Sequence, residues 1–164
     1  WFDGRLVNWK DAKIHVLSHA LHYGTAVFEG IRCYETNNGP AIFRLEDHLD
    51  RLLFSARCLG MRLPFSKDEL SLAIRRTIKA NKVEECYIRP IAFFGYGKMG
   101  LSPLGAPVNI AIGVWPWKYD VGKGAEARVK ISKYIRLHPA SIEVKAKISV
   151  YYSNSVLAAI VAHR

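Results

Sequence analysis

Two successive helical segments, flanked on both sides by strand-forming segments, constrain the fold of this chain most. In the first, apolar residues recur at intervals of three and four from Leu45 to Leu59, which is the period of one helical face. In the second, Ser66 precedes Glu69 by three residues, the pattern of a capping box at a helix N-terminus. The spacing predicts two amphipathic helices, and the second buries the following residues: Leu70, Ala73, Ile74, Thr77 and Ile78.

The segments on either side of the helices carry strand signals. Apolar and β-branched residues predict a strand at about 25–36, and a turn at 37–39 leads into a returning strand at 40–44. Two longer apolar strands are predicted within 86–97 and 108–117. This order of strands, two helices and further strands predicts an α+β fold in which helices and a sheet form two layers.

A glycine-rich stretch divides the chain. Residues 120–127 predict a linker between an N-terminal domain at 1–119 and the start of a second domain at 128–164. A strand at 128–135 and a helix from 154 are predicted in the second part. The first residue is not methionine and the last lies inside the predicted helix, so we expect both ends to be incomplete.

Composition narrows the class of protein. Half of the 164 residues are hydrophobic, which is typical of a globular protein, and no apolar run approaches the roughly 18–20 residues that span a bilayer. The net charge of +10 suggests nucleic acid, but the basic residues are scattered, so we expect no nucleic-acid or membrane partner; a non-catalytic basic binding domain stays an alternative. Cys33, Cys58 and Cys86 lack paired spacing and predict reduced thiols in a cytoplasmic protein.

Two motifs imitate known sites. The glycines of 95–100 match a dinucleotide-binding pattern, but the residues after them cannot form the required helix, so we predict a loop. His19 and His22 lack further ligands at metal-binding spacing, which favours structural histidines over a zinc site. We therefore expect neither a dinucleotide nor a metal.

Four cationic residues are candidates for chemistry. Arg89 stands inside an apolar strand, where a charge needs a partner or a polar cleft. Arg51 lies beside the apolar face of its helix and, taken alone, is a surface residue. Lys145 and Lys147 precede a stretch rich in β-branched residues; as a strand, both would point to the same face, so periodicity does not separate them.

Four segments together resemble a known family. Residues 19–36, 44–57, 87–100 and 146–155 are similar to branched-chain amino acid aminotransferases, which are enzymes of pyridoxal-phosphate fold type IV. The resemblance implies a small N-terminal domain and the beginning of a larger cofactor-binding domain. It also implies a homodimer or higher homo-oligomer with pyridoxal 5'-phosphate (PLP) as cofactor. The family chain is nearly twice as long as this one.

The resemblance assigns roles to individual residues. Lys147 matches the lysine of an Ala-Lys motif that binds PLP covalently and acts as the base. Arg51 matches an arginine that binds the cofactor phosphate, and Arg89 matches one that meets the distal carboxylate of glutamate. Tyr23 matches a residue that reaches into the neighbouring subunit's site. The remaining implied contacts with substrate or cofactor come from Phe28, Gly30, Tyr87, Tyr119 and Tyr152.

The implied reaction is a ping-pong transfer of an amino group. Leucine, isoleucine or valine gives its nitrogen to the cofactor, and 2-oxoglutarate receives it. Other fold-type IV enzymes remain alternatives, namely a D-amino-acid or amine transaminase and an aminodeoxychorismate lyase. The chain departs from the family at Val150, where glycine is common, and we expect this valine to reshape the cofactor side of the pocket.

Overall fold

The structure is a computed structural model that describes residues 1–117 and 129–163. The chain forms a sheet covered by helices. The strands are β1 Ala26–Phe28, β2 Ile31–Tyr34, β3 Ala41–Ile42, β4 Cys86–Phe94 and β5 Val108–Trp115. The α-helices are α1 His19–Tyr23, α2 Leu45–Cys58, α3 Lys67–Asn81 and α4 Tyr152–His163. Short 3-10 turns occur at Trp9–Asp11, Pro139–Ser141 and Ser149–Tyr151. This arrangement confirms the predicted α+β class.

All strand pairs of the sheet are antiparallel, and β4 lies at its centre. Strand β5 pairs along one edge of β4, β1 and β2 share the other edge, and β3 extends the sheet beyond β2. The strand predicted at 25–36 is therefore divided, because its pairing lapses opposite Pro90. The backbone N–H of Glu29 donates to the Pro90 carbonyl at 2.9 Å, but proline has no N–H to return the bond.

The two faces of the sheet differ. Even-numbered β4 residues such as Ile88 are buried, whereas Tyr87 and Arg89 between them are partly exposed. Helix α2 packs against β1 and α3, and α3 packs against β5. The fully buried core side chains on this side include Ile31, Leu49, Leu52, Ile74, Ile88 and Ile110. The alternation of strand side chains therefore sends Tyr87 and Arg89 to the face opposite the helices.

Helix α3 begins as the sequence predicts. The Ser66 hydroxyl accepts the Glu69 N–H at 3.3 Å, and the Glu69 carboxylate accepts the Ser66 N–H at 2.7 Å. This capping box satisfies backbone donors that have no partner within the helix. All five residues predicted for its buried face are buried.

The second part of the chain corrects one prediction, the strand at 128–135. Residues 129–135 form no strand, and the Val129 and Ile131 side chains are almost fully exposed. The stretch after Lys147 is also not a strand: only Ile148 keeps a bridge, to Val27, before a 3-10 turn leads into α4. Strand propensity is realised only where a partner strand is available, and here the backbone finds other partners. The predicted linker at 120–127 and the domain boundaries on either side of it lie outside the described residues.

The loop that joins β4 and β5 carries the glycine motif. Gly97 and Gly100 have φ values of 141° and 107°, which favour glycine, and the described loop contains no helix. Buried His19 fastens this loop, because its Nε2 lies 2.7 Å from the Gly100 carbonyl and its Nδ1 lies 2.8 Å from the Thr25 hydroxyl. The carbonyl only accepts, so Nε2 carries the proton. His19 is thus a structural histidine.

Candidate active site

The Phe28 ring lies at the meeting point of three segments. The Lys147 Nζ and the guanidinium carbon of Arg89 each lie 4.7 Å from the Phe28 ring centroid. The Tyr152 ring packs against Phe28 with centroids 5.0 Å apart. The end of β1, the middle of β4 and the start of α4 thus converge on one cationic and aromatic site.

Arg89 is held by aromatic residues and keeps one donor free. Its Nη2 donates to the Tyr87 hydroxyl at 3.1 Å, and its guanidinium lies 5.9 Å from the Trp115 ring centroid. Its buried Nε has no hydrogen-bond partner among the described residues. A buried donor without an acceptor is costly, so this atom is suited to meet an anionic group of a ligand.

Gly30 makes room for the tyrosine that orients Arg89. A β-carbon at Gly30 would lie 2.0 Å from the Tyr87 hydroxyl, which is far inside van der Waals contact. Any other residue would displace Tyr87 from Arg89. The family resemblance implies that Gly30 contacts substrate or cofactor. In the structure, a side chain at this position would first meet Tyr87.

The structure separates Lys147 from Lys145. The Lys147 N–H donates to the Ser55 hydroxyl at 2.8 Å, its carbonyl accepts the Phe28 N–H at 3.2 Å, and its Nζ bonds the Tyr152 hydroxyl. Lys145 is exposed, and its N–H donates locally to the Glu143 carboxylate at 3.1 Å. Tertiary contacts therefore hold Lys147 against Phe28 and Tyr152, although Lys145 lines the cleft beside it.

Arg51 forms an ion pair with a carboxylate that sequence reasoning missed. Its Nε and Nη2 donate to the two oxygens of Glu29 at 2.5 and 2.7 Å, and His48 Nδ1 lies 2.8 Å from the same carboxylate. The Glu29 side chain is fully buried, whereas that of Arg51 is 46% exposed. The signal was available, because Glu29 interrupts an apolar strand just as Arg89 does.

The ion pair shifts the titration of both groups. Burial alone would raise the pKa of Glu29, but hydrogen bonds and charge from Arg51 and His48 outweigh it and lower that pKa. The hydrogen bond from Arg51 to Glu29 raises the pKa of the arginine in turn. Glu29 occupies the Nε–Nη2 edge of the guanidinium and leaves the Nη1 end for another acceptor.

A cleft of about 600 Å³ lies beside Lys147, and Phe28 and Arg89 are not among the described residues that line it. Arg51, Lys147 and Tyr152 line it together, and its size is that of a small-molecule site. Further polar side chains from the segment before Lys147 and from α4 line it, namely Arg136, His138, Lys145 and Ser155. The cleft offers an amine, a phenol and a guanidinium to one ligand.

Tyr23, Tyr119 and Val150 are the remaining residues that the family resemblance singled out. Tyr23 lies on α1 with its ring 4.5 Å from that of His19, and no contact with Lys147 or Arg89 is found in the described part of the chain. Tyr119 falls outside the described residues. Val150 packs against the end of α1, because a β-carbon on Gly24 would lie 2.8 Å from the Val150 β-carbon.

Within residues 1–117 and 129–163, no group of three or more His, Cys, Asp and Glu side chains could hold a metal ion. In the same ranges, no helix has the length and apolar character needed to cross a membrane.

Comparisons with known proteins give the site its context. The sequence profile of the amino-transferase class IV family matches residues 26–164. A branched-chain-amino-acid aminotransferase of Pseudomonas aeruginosa is 44% identical over 161 residues, which cover 96% of this chain and 52% of that protein. The chain spans about half the length of the curated relatives it matches.

Solved structures agree with the sequence relatives. A T.th. branched-chain amino acid aminotransferase with pyridoxamine 5'-phosphate matches with a TM-score of 0.92 and 43% identity, over 96% of this chain and 53% of that one. The same enzyme complexed with N-(5'-phosphopyridoxyl)-L-glutamate matches with a TM-score of 0.89 and 45% identity, over 96% and 52% of the two chains. Because the family match extends over most of the sequence and the fold agrees, the chain belongs to the amino-transferase class IV family.

Proposed function

We propose that the protein is a PLP-dependent aminotransferase that transfers the amino group of leucine, isoleucine or valine to 2-oxoglutarate. The observation that carries this proposal is the convergence of Lys147, Arg51 and Tyr152 on one cleft beside Phe28 and Arg89. In the reverse direction the same reaction forms the branched-chain amino acid, and we place the protein in branched-chain amino acid biosynthesis.

The residues of the cleft fit PLP. The Lys147 amine would hold the cofactor through its aldehyde carbon, and the Nη1 end of Arg51 would bind the phosphate, for which a planar charged donor is suited. Tyr152 lines the same cleft, accepts a hydrogen bond from the Lys147 amine through its hydroxyl, and provides an aromatic wall beside Phe28. When bound, PLP supplies the electron sink for bond cleavage at the substrate α-carbon. The relative that contains pyridoxamine 5'-phosphate supports this assignment.

Lys147 has the position of the proton carrier. Its Nζ takes the proton from the substrate α-carbon as a general base, and the hydrogen bond with the Tyr152 hydroxyl directs the amine. The rings of Phe28 and Tyr152 both lie against the amine, with centroids 4.7 and 4.8 Å from the Lys147 Nζ. The anchored backbone of Lys147 keeps this amine in reach of the cleft.

Arg89 accounts for the use of two different substrates. Phe28 and Tyr152 offer an apolar wall to a branched side chain, while the free Nε of Arg89 offers a donor to a second carboxylate. Tyr87 holds the arginine in place. The neighbour that contains a phosphopyridoxyl-L-glutamate adduct supports a glutamate carboxylate as the anion.

Assembly and location belong to the same proposal. We place the protein in the cytoplasm, because Cys33, Cys58 and Cys86 are all free thiols. We expect a homodimer or larger homo-oligomer in which Tyr23 reaches the neighbouring site, since Tyr23 is partly exposed on α1. Tyr119 is expected to contribute to the pocket wall.

Single-turnover measurements of the two half-reactions test the function. In the full-length protein, the PLP form should convert leucine and the pyridoxamine 5'-phosphate form should convert 2-oxoglutarate, each in its own half-reaction, and Lys147→Ala should abolish both. Lys145→Ala is the matched control and should retain both. Arg89→Met should reduce the efficiency of the 2-oxoglutarate half-reaction by about 2 kcal/mol of transition-state stabilisation, and the leucine half-reaction much less.

Two results would contradict the proposal. Equal losses in both half-reactions of Arg89→Met would mean that this arginine binds the carboxylate common to all amino acids. Turnover of D-amino acids or simple amines instead of leucine would point to another enzyme of PLP fold type IV.

A further inference from the structure

The hydroxyl of Ser55 connects the helix of Arg51 with the backbone of Lys147. Ser55 is fully buried in α2. Its Oγ donates to the Arg51 carbonyl at 2.7 Å and accepts the Lys147 N–H at 2.8 Å. A serine hydroxyl has one proton and two acceptor sites, so donation to Arg51 turns a lone pair towards Lys147.

The Lys147 backbone is thus held from two sides. Its N–H is fixed by α2 through Ser55, and its carbonyl is fixed by the Phe28 N–H of β1 at 3.2 Å. The flanking residues Ala146 and Ile148 are both buried, so water is poorly placed to replace a lost partner. Lys145 has no such anchor to α2, because its N–H bonds within its own segment.

We infer that Ser55 is a positioning residue for Lys147, because it sets the place of the lysine amine relative to the guanidinium of Arg51. This inference rests on the proposed function for its consequence in catalysis, but its structural part can be tested without the cofactor. Arg51 lies one helical turn before Ser55, so a single hydroxyl fixes both groups to the same turn of α2.

The chain provides a matched control for the loss of this hydroxyl. Thr77 in α3 is also buried, and its hydroxyl also donates to the carbonyl four residues earlier, at 2.7 Å. No second partner of the Thr77 hydroxyl is found in the described part of the chain. Ser55→Ala and Thr77→Val therefore delete comparable hydroxyls, but only the first removes a contact with Lys147.

Amide hydrogen exchange in the full-length protein without PLP tests the anchor. We expect Ser55→Ala to accelerate exchange at the Lys147 amide by about tenfold, the effect of roughly one net hydrogen bond, and Ser55→Thr to restore protection. Thr77→Val should leave the Lys147 amide unchanged. Unchanged protection at Lys147 in Ser55→Ala, or an equal loss in Thr77→Val, would overturn the inference.

Covalent trapping then tests the consequence for the amine. The same variants are incubated with PLP and reduced with borohydride, and peptide mass spectrometry compares PLP on Lys147 with PLP on Lys145. We expect Ser55→Ala to lower the Lys147 yield by about tenfold at limiting PLP, and Thr77→Val to match the wild type. Wild-type yield in Ser55→Ala would overturn the positioning role. Absence of PLP on Lys147 in the wild type would instead reject the proposed function and leave the exchange result standing.

Discussion

Helices α2 and α3 are close in length and pattern but differ in what their polar residues do. Both are amphipathic, with 14 and 15 residues, and both contain a buried hydroxyl that donates to the carbonyl four residues earlier. In α3 the Thr77 hydroxyl has no further hydrogen-bond partner among the described residues. In α2 the polar residues reach outward, from Arg51 to Glu29 and from Ser55 to Lys147.

The difference shows that apolar periodicity and site chemistry are independent features of a helix. The apolar residues of both helices bury the same kind of face against the sheet and each other. The polar residues on the margin of that face decide whether the helix also holds a site. A buried polar side chain with a partner outside its own helix is therefore the feature that distinguishes α2 from α3.

The largest expected effect separates Arg51 of α2 from Arg75 of α3. Arg51→Ala leaves the Glu29 carboxylate buried without its main partner, so we expect the free energy of unfolding of the cofactor-free protein to fall by about 2–4 kcal/mol. This figure allows for the half-exposed arginine, which weakens the pair. Exposed Arg75→Ala should change it by no more than about 0.5 kcal/mol. Denaturant unfolding measures both.

A second substitution tests whether the unpaired Glu29 carboxylate causes the loss of stability. In a Glu29→Gln background, Arg51→Ala leaves no buried carboxylate without a partner, so it should lower the free energy of unfolding much less. PLP affinity is then compared between Glu29→Gln and the double variant Glu29→Gln with Arg51→Ala. In this comparison, the contribution of Arg51 to PLP binding is not mixed with the loss of folding stability. An equal loss of stability in both backgrounds would mean that Glu29 is not the reason for it.

The acid side of the stability curve gives an intermediate effect. The folded protein lowers the pKa of Glu29 below its ordinary value of 4.5, so the ionised carboxylate stabilises the fold above pH 4.5 and that stability is lost as the pH falls through the folded value. We expect the free energy of unfolding to fall more steeply below pH 4.5 in the wild type than in Glu29→Gln. Glu69, exposed at the start of α3, is the control, and Glu69→Gln should change this slope less.

The smallest effect concerns the start of α3. Ser66→Ala removes the capping hydroxyl and should lower the free energy of unfolding by about 1 kcal/mol. PLP trapping at Lys147 should not change, because α3 carries no contact to that lysine within the described residues. Reduced PLP trapping at Lys147 in Ser66→Ala, together with this modest loss of stability, would contradict the proposal that α2 and not α3 holds the site.

Much of the fold could be predicted because local signals agreed with tertiary packing. The two helices, the Ser66 cap and strands β4 and β5 each have a period or a cap that the final structure uses. The segment around Val129 was predicted as a strand because β-branched residues favour strands. That prediction failed because a strand needs a neighbouring strand, and residues 129–135 pair with no strand in the described part of the chain.

The site was predictable only in part. Arg89 was recognisable from the sequence as a charge in an apolar strand. The same reasoning applied to Glu29 would have found a buried carboxylate. Its partner could not be known, because Glu29 and Arg51 are 22 residues apart and meet only when α2 packs on the sheet. Ser55 gave no signal at all, since a serine in a helix has many ordinary uses.

The pairing of β1 and β2 with β4 has a consequence for how this segment can evolve. Ala26 opposite Phe93 and Cys33 opposite Cys86 belong to one unbroken register, although the ladder lapses beside Pro90. One residue inserted or deleted between them would turn every later side chain to the opposite face and pull Glu29 out of line with Arg51. Natural variation can therefore exchange side chains here but not alter their number, and sequence gaps among related proteins should fall in the loops on either side.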